Sequence, residues 1–476
     1  MVIGGNVRTI LVLSKYLCIM KIRATVLIRC VLVILLIGAI IKSYSQNPII
    51  HNHFTADPTA RVFGDSIYLY PSHDILAEQG KGQPGWFCME DYHVFSSADL
   101  VHWRDGGMLL SQNDVPWADT TSYSMWAPDC IKRDGKYYFY FPTKMKGSDG
   151  ESKFSIGVAL GERPGGPFKV MSEPIAGVKG IDPNVFIDDD GQAYLFWAEG
   201  DIMGAKLKRN MLDLDSKVKI LEHLPAKGLK EGPFLFKNKG KYYLTYPHVE
   251  DKTERLEYAV SDKPLGPFQP MGVIMEASDN CWTNHQSIVK FKGQWYLFYH
   301  SNDYSPRFDK ARSARIDSLF FNADGTIREV KPTLRGVGIS NVTDTIQVDR
   351  YSSISDSGAG IYFLDTNHHF KGWSLKLSTP GSWVRYNSVD FGLKKNKIVQ
   401  LRLKADQEGL LLLKAISKNG ENVNIKTLAN IQYKKSDDFV VINAIISDNA
   451  FGLCDLILSN GSDSPGNVEI DWILFQ

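Results

Sequence analysis

Residues 181–197 read Ile-Asp-Pro-Asn-Val-Phe-Ile-Asp-Asp-Asp-Gly-Gln-Ala-Tyr-Leu-Phe-Trp. An acidic start before proline, an apolar run, a turn containing glycine and an aromatic strand follow one another. Four other stretches repeat this sketch. Ala56-Asp57-Pro58 leads to Ile67-Tyr68-Leu69-Tyr70, and Trp126-Ala127-Pro128 leads to Tyr137-Tyr138-Phe139-Tyr140. Lys230-Glu231-Gly232-Pro233 leads to Tyr242-Tyr243-Leu244-Thr245, and Asn284-His285-Gln286 leads to Trp295-Tyr296-Leu297-Phe298. The anchors Tyr68, Tyr138, Tyr194, Tyr243 and Tyr296 stand 70, 56, 49 and 53 residues apart. A strand–turn–strand unit returning about every 50 residues predicts an all-β, five-bladed β-propeller over residues 46–340. A long sandwich is the other all-β reading, but it gives no reason for so regular a return. Gly64, Gly135, Gly191, Gly240 and Gly293 fall where the hairpin turns belong. Asp188-Asp189-Asp190-Gly191 therefore reads as a turn. It lacks the downstream Glu that would complete a calcium loop.

After about Gly338 the repeat stops. Residues 345–476 alternate apolar and polar in short runs, which predicts a β-sandwich of jelly-roll type. At the other end, residues 1–45 hold six basic residues and no acidic one. A basic segment from Met20 precedes the uncharged run Val31–Ile41, the pattern of a secretory signal peptide. The run is short for a membrane span. Ser43-Tyr44-Ser45 offers small residues for a cut before Gln46, and Met20 is an alternative start. The expectation is a secreted or periplasmic protein, free of the membrane after cleavage; an anchor left uncut is the other reading. Beyond the leader the chain holds 48 basic and 53 acidic residues, with no basic block suited to nucleic acid. Cys88, Cys130, Cys281 and Cys454 are irregularly spaced, and neither a zinc pattern nor a disulfide pairing can be read from them.

Counting back from the anchors, Asp57 lies 11 residues before Tyr68, Asp182 lies 12 before Tyr194 and Glu231 lies 12 before Tyr243. Trp126/Ala127 and Asn284/His285 hold the same place in the other two units. Equivalent positions on innermost propeller strands converge on the central channel. The count thus predicts three carboxyls facing one pocket, where like charges raise the pKa of at least one of them. A protonated acid beside an ionised base is the equipment for glycoside hydrolysis. The blander reading is that Asp-Pro and Glu-Gly-Pro only start strands.

The ordered set Thr55-Ala56-Asp57-Pro58, Ser97-Ala98-Asp99-Leu100-Val101-His102-Trp103, Trp126-Ala127-Pro128, Gly180-Ile181-Asp182-Pro183, Lys230-Glu231-Gly232-Pro233 and Asn284-His285-Gln286-Ser287 resembles glycoside hydrolase family 43 over about residues 50–335. The resemblance implies an inverting hydrolase, with Asp57 as general base, Glu231 as general acid and Asp182 tuning and orienting the acid. It also implies that Trp126 lines the pocket, that Arg312 binds substrate and that His285 helps hold a calcium ion or water. No organic cofactor is implied. The bland readings are blade packing for Trp126, a surface charge for Arg312 and a core histidine for His285. His73-Asp74 is a further pair that could reach the pocket.

The C-terminal runs Ile346–Ser352, Gly381–Tyr386, Val389–Gly392 and Ile470–Trp472 resemble a family 6 carbohydrate-binding module, with Trp373, Trp383 and Tyr386 as stacking candidates. Glu469 and the run Lys434–Phe439 depart from that pattern. The expected partner is plant cell-wall polysaccharide or oligosaccharide, and the expected activity is α-L-arabinofuranosidase. β-Xylosidase or endo-arabinanase is the alternative within the class, and a non-catalytic glycan-binding propeller the alternative outside it. Endo or exo action rests on the loops Ile75–Met89 and Gln112–Ser124.

Overall fold

A computed structural model describes residues 47–476, except 78–79, 148–152, 279–280, 303–309, 334, 349–350, 366–372, 420–421 and 464. Residues 1–45, where an export signal is expected, lie outside the described residues. No helix among those described is long and apolar enough to cross a membrane. Apart from one 3-10 turn at Gln112–Asp114, the regular structure is β.

Five antiparallel sheets follow in chain order. Blade 1 comprises β1 (Phe54–Phe63), β2 (Ser66–Asp74), β3 (Asp91–Ser97) and β4 (Arg104–Ser111). Blade 2 comprises β5 (Asp129–Arg133), β6 (Lys136–Lys144), β7 (Phe154–Gly161) and β8 (Phe168–Val170). Blade 3 comprises β9 (Ile181–Ile187), β10 (Ala193–Glu199), β11 (Asp201–Leu207) and β12 (Lys219–Ile220). Blade 4 comprises β13 (Phe234–Asn238), β14 (Lys241–Val249), β15 (Glu254–Ser261) and β16 (Gln269–Met275). Blade 5 has three strands, β17 (Ser287–Phe291), β18 (Gln294–Ser301) and β19 (Ser313–Leu319).

Five apolar clusters close these sheets into a ring, because each one joins two neighbouring blades. Tyr70 and Tyr92 meet Phe139 and Phe141 between blades 1 and 2. Tyr140 and Val158 meet Leu195 and Trp197 between blades 2 and 3. Phe196 meets Leu235 and Leu244 between blades 3 and 4. Phe236 and Tyr258 meet Ile288 and Leu297 between blades 4 and 5. Phe298 and Ile316 meet Leu69 and Phe95 between blades 5 and 1. Every anchor tyrosine lies in the cluster facing the next blade. The aromatic repeat therefore encodes blade-to-blade packing, where one large ring buries apolar area and fixes geometry.

The N-terminal segment completes the ring. The Asn47 side chain donates to the Ile316 carbonyl at 3.1 Å and accepts from its N–H at 2.9 Å. The Ile49 N–H donates to the Ala314 carbonyl at 2.9 Å. Nearer the axis, Arg61 of β1 forks onto Asp129 of β5 at 2.8 and 2.5 Å, and donates to the Val185 carbonyl of β9. Buried charge of this kind is tolerated when it is paired and hydrogen-bonded.

The predicted hairpin glycines all sit at positive φ. Lys237 Nζ takes up Asp188 and Asp189, each at 2.8 Å, so the triple-Asp turn spends its charge on a lysine.

The later residues form two six-stranded sheets. One is built on Trp383–Asp390, Leu453–Asn460, Gly409–Asn419 and Asn422–Tyr433. The other is built on Trp373–Leu377, Val468–Phe475, Ile398–Ala405 and Ser436–Ile445. Their inner faces share one core that includes Leu375, Leu401, Leu413, Leu456 and Ile473. The first sheet already takes in Ser340–Asn341, ahead of the expected start at 345. Tyr386 is fully buried and donates its hydroxyl to the Val348 carbonyl at 2.9 Å, which makes it a packing residue. Glu469 pairs with Lys404 at 3.1 Å. Cys88, Cys130, Cys281 and Cys454 are all buried.

Candidate active site

Strand pairing, rather than counting, gives the repeat address. The anchors pair with Arg61, Ile131, Phe186, Phe236 and Val289 on the innermost strands. Four residues upstream of these partners stand Asp57, Ala127, Asp182, Gly232 and His285. Glu231 is thus one position ahead of the Asp57 and Asp182 address, in the place of Trp126, Ile181 and Asn284. The count from the anchors hid this, because the Asp188–Gly191 turn is one residue longer than its counterparts in blades 1 and 4. Two adjacent addresses, not one, furnish the channel mouth.

Local backbone explains the split. Asp57 and Asp182 occupy the left-handed region at φ +48° and +58°, and Gly232 shares it at +51°. Aspartate is among the few side chains that visit this region readily. The register shifts around both aspartates, a bulge that turns a side chain away from the sheet face. At Gly232 an added Cβ would stand 2.8 Å from Pro247 and 3.1 Å from His285, so glycine alone fits there. The Gly232 N–H donates to Asp182 at 2.9 Å.

Asp57, Asp182, Glu231, Trp126, His285 and Arg312, the six residues singled out from sequence, all line one cavity of about 180 Å³. Trp86, Phe87 and Met89 from the first long loop, with Trp282 and Thr283 from the loop before blade 5, complete its wall. The loop 112–124 contributes no lining residue. His73 and Asp74 stay outside the cavity, but Asp74 lies directly behind Arg312. It accepts Nε and Nη2 at 2.9 Å each and also the Arg312 backbone N–H.

Arg312 Nη1 reaches Asp57 Oδ1 at 3.1 Å, and Ser72 Oγ donates to Asp57 Oδ2 at 2.6 Å. The Asp57 N–H, freed by the bulge, donates to His300 Nδ1 at 3.1 Å. That bond leaves the His300 proton on Nε2, facing the Thr283 carbonyl at 3.0 Å. Burial, then Arg312, push the His300 pKa down to about 3, so this imidazole is neutral. Burial also lowers His285, whose Nδ1 stands 3.8 Å from Asp57 Oδ1. For Asp57 burial alone would raise the pKa, but the opposing charge of Arg312 dominates and holds it down at about 2. With both imidazoles neutral, Arg312 is the lasting charge behind that shift.

The opposite wall behaves differently. Burial, then the Glu231 and Asp57 charges, push Asp182 well above the usual carboxylate range. Burial raises Glu231 as well. Glu254, at the start of β15, contacts Glu231 and is raised strongly by burial and by the Glu231 charge. Glu254 Oε2 accepts the Asn284 N–H at 2.5 Å, whereas Oε1 finds no N–H or hydroxyl donor among the described residues. Burial raises both carboxyls and each acts on the other, so Glu231 and Glu254 titrate as a pair. The cavity therefore holds an ionised carboxylate on one side and a proton-retaining carboxyl group on the other.

The profile described as glycosyl hydrolases family 43 matches residues 45–327. The chain belongs to glycosyl hydrolase family 43. It is a glycosidase, and its relatives at 34–36% identity carry xylosidase and arabinosidase names, while an Aspergillus niger relative at 29% is named β-D-galactofuranosidase. Xylosidase/arabinosidase 43A of Humicola insolens is 36% identical over 336 residues, covering 60% of this chain and 99% of that protein. A solved β-xylosidase/α-arabinofuranosidase of family 43 from a compost microbial metagenome, in complex with xylotriose, aligns with a TM-score of 0.54 and 35% identity. It covers 61% of this chain and 98% of its own. A Bacillus subtilis family 43 structure at 22% identity and TM-score 0.52 covers 91% of this chain and 97% of its own, a likeness of fold.

Sequence reading missed Glu254, Ser72, Thr283 and His300. No motif surrounds Glu254. Ser72, by contrast, sits two positions from Asp74 on a strand whose alternation could have placed both on the channel side.

Proposed function

We propose that this cavity releases terminal pentosyl residues, α-L-arabinofuranosyl and β-D-xylosyl, from plant polysaccharide side chains and oligosaccharides, with inversion at the anomeric carbon. The carrying observation is the contrast within one cavity: Asp57 is held in its ionised form by Arg312 and Ser72, whereas burial pushes the Glu231 carboxyl up beside Glu254. The names of the relatives in the xylosidase and arabinosidase range support the sugar class.

In this mechanism Asp57 accepts a proton from the attacking water, and Glu231 gives one to the leaving oxygen. Asp182, held by the Gly232 N–H, keeps negative charge away from Glu231 by retaining its own proton. Arg312 fixes the direction of Asp57 and offers its guanidinium edge to sugar hydroxyls. Trp126, Phe87 and Trp282 give the apolar faces that sugar C–H groups pack against. Phe87 and Trp282 also narrow the mouth, which favours exo action over endo-arabinanase action.

Calcium remains a proposal. Among the described residues no cluster of three metal-binding side chains includes His285. Calcium takes six to eight ligands, mostly oxygen, so an ion held beside His285 would draw most of them from water. No step is routed through the ion. Glycan binding by the C-terminal sandwich and export are likewise proposals, supported by the family 6-like runs and by the leader pattern.

A panel of nitrophenyl pentosides and hexosides tests the assignment. Release from α-L-arabinofuranoside and β-D-xyloside is expected. Turnover confined to hexosides would remove it.

A further inference from the structure

Blade 1 carries a cluster of imidazoles and carboxylates that the hydrolytic site does not use. His53 precedes β1, His73 lies on β2, His93 and Asp91 lie on β3, and Asp105 lies on β4. The pairing of β1 with β2 and of β2 with β3 brings the three histidines to one face of the sheet. Their ring centroids stand 4.9 Å (His53–His73), 4.4 Å (His53–His93) and 5.3 Å (His73–His93) apart. None of these pairs is stacked. With Zn–N bonds of about 2.0–2.1 Å, tetrahedral geometry places imidazole centroids about 5 Å apart, the spacing found here.

The polar atoms point the same way. His53 Nδ1 is buried and has no hydrogen-bond partner among the described residues, an orphan that calls for a ligand. It faces Asp105 Oδ2 at 3.9 Å, and His93 Nδ1 faces Asp105 Oδ1 at 3.4 Å. His53, His93 and Asp105 each present one ligand atom, and these atoms lie within 4.8 Å of one another. His73, Asp91 and His93 do the same. The 2.6 Å bond between His73 Nδ1 and Asp91 is the carboxylate–histidine pairing that orients a metal-binding imidazole and leaves its Nε2 lone pair free. Phe95 packs against the His53 and His93 rings and gives the cluster an apolar side.

We propose that His53, His93 and Asp105 bind one divalent transition-metal ion of the zinc class, with the Asp91-held His73 as the adjoining fourth donor. Imidazole and carboxylate together suit zinc, not calcium or magnesium, so this site is chemically separate from any calcium near His285. The ion would tie β2, β3 and β4 of blade 1 to the segment that leads into β1. One of them, β2, carries Asp74 next to His73 and so holds Arg312.

The test uses the full chain without a polyhistidine tag, stripped of metal by chelation. Zinc titration, followed by calorimetry and by competition with a chromophoric chelator, should show one equivalent bound and a higher melting temperature. A tenfold excess of calcium or magnesium should not displace it. His93→Gln, which removes the residue common to both triads, should weaken binding by about tenfold or more, and Asp91→Asn by a comparable factor through His73. Both variants should keep pentoside turnover, which shows that they are folded. No saturable binding by roughly 100 micromolar zinc, where even weak linkage would raise the melting point, overturns the proposal. So does zinc binding that His93→Gln leaves unchanged.

Discussion

The channel of the propeller and the core of the C-terminal sandwich solve opposite problems. The sandwich buries one continuous set of apolar side chains, mostly aliphatic, from two alternating sheets. The channel buries Asp57, Asp74, Asp182, Glu254 and Arg312, each at most 6% exposed. Such charge is costly to bury and survives only through pairing or proton retention. Blade packing carries that cost, since five inter-blade clusters hold the channel walls in place. The difference locates the chemistry: the channel concentrates buried charge and left-handed aspartates and is organised for reaction, whereas the sandwich buries little charge beyond Asp471, paired with Arg402, and is organised for packing.

The largest effect should fall on the ionised wall and its partner. Asp57→Asn should lower kcat about 10²–10⁴-fold on every substrate, in steady-state assays. Glu231→Gln should do so for natural oligosaccharides but far less for nitrophenyl glycosides, whose leaving group needs little protonation. Equal losses on both substrate types would break the assignment of Glu231 as the acid.

Arg312→Met tests the pairing itself. It leaves Asp57 and Asp74 buried without their cation, and stability should fall by about 3–5 kcal/mol, seen as a lower melting temperature together with lost activity. In the sandwich, Leu401→Ala should cost about 2–5 kcal/mol through its cavity while kcat on pentosides stays unchanged. If Leu401→Ala lowered kcat, or Arg312→Met were neutral for stability, the contrast between the two regions would fail.

The propeller was legible because its packing repeats. One tyrosine per blade faces the next blade, and its return every 50 residues or so is visible without any structure. The six lining residues were legible for the same reason, being tied to repeat addresses or to family motifs. The address of Glu231 was misplaced because distance along the chain mixes turn length with strand position, and the Asp188–Gly191 turn is the longer one. Glu254 was not legible at all. Its role arises only when β15 brings a second carboxyl against Glu231, a contact with no local signature. His73-Asp74 divided by strand alternation: Asp74 turned toward Arg312, His73 toward the histidine cluster on the other face.

The smallest expected effect concerns that pair. Glu254→Gln removes one titrating carboxyl and leaves an amide donor that favours ionised Glu231. The alkaline limb of kcat/KM should therefore move to lower pH, by less than about one unit. The acid limb should stay put, because Asp57 remains ionised down to about pH 2. An unmoved alkaline limb would mean that Glu254 does not share the proton of the acid.

In the proposed single displacement, Asp57, pinned in its ionised form, works against Glu231, whose carboxyl is pushed up. Proton NMR of a fresh hydrolysis mixture reads it directly, before mutarotation mixes the anomers. From a β-D-xyloside, α-D-xylose should appear first. The appearance of β-D-xylose as the first product would contradict the account and make one of the two carboxyls a nucleophile.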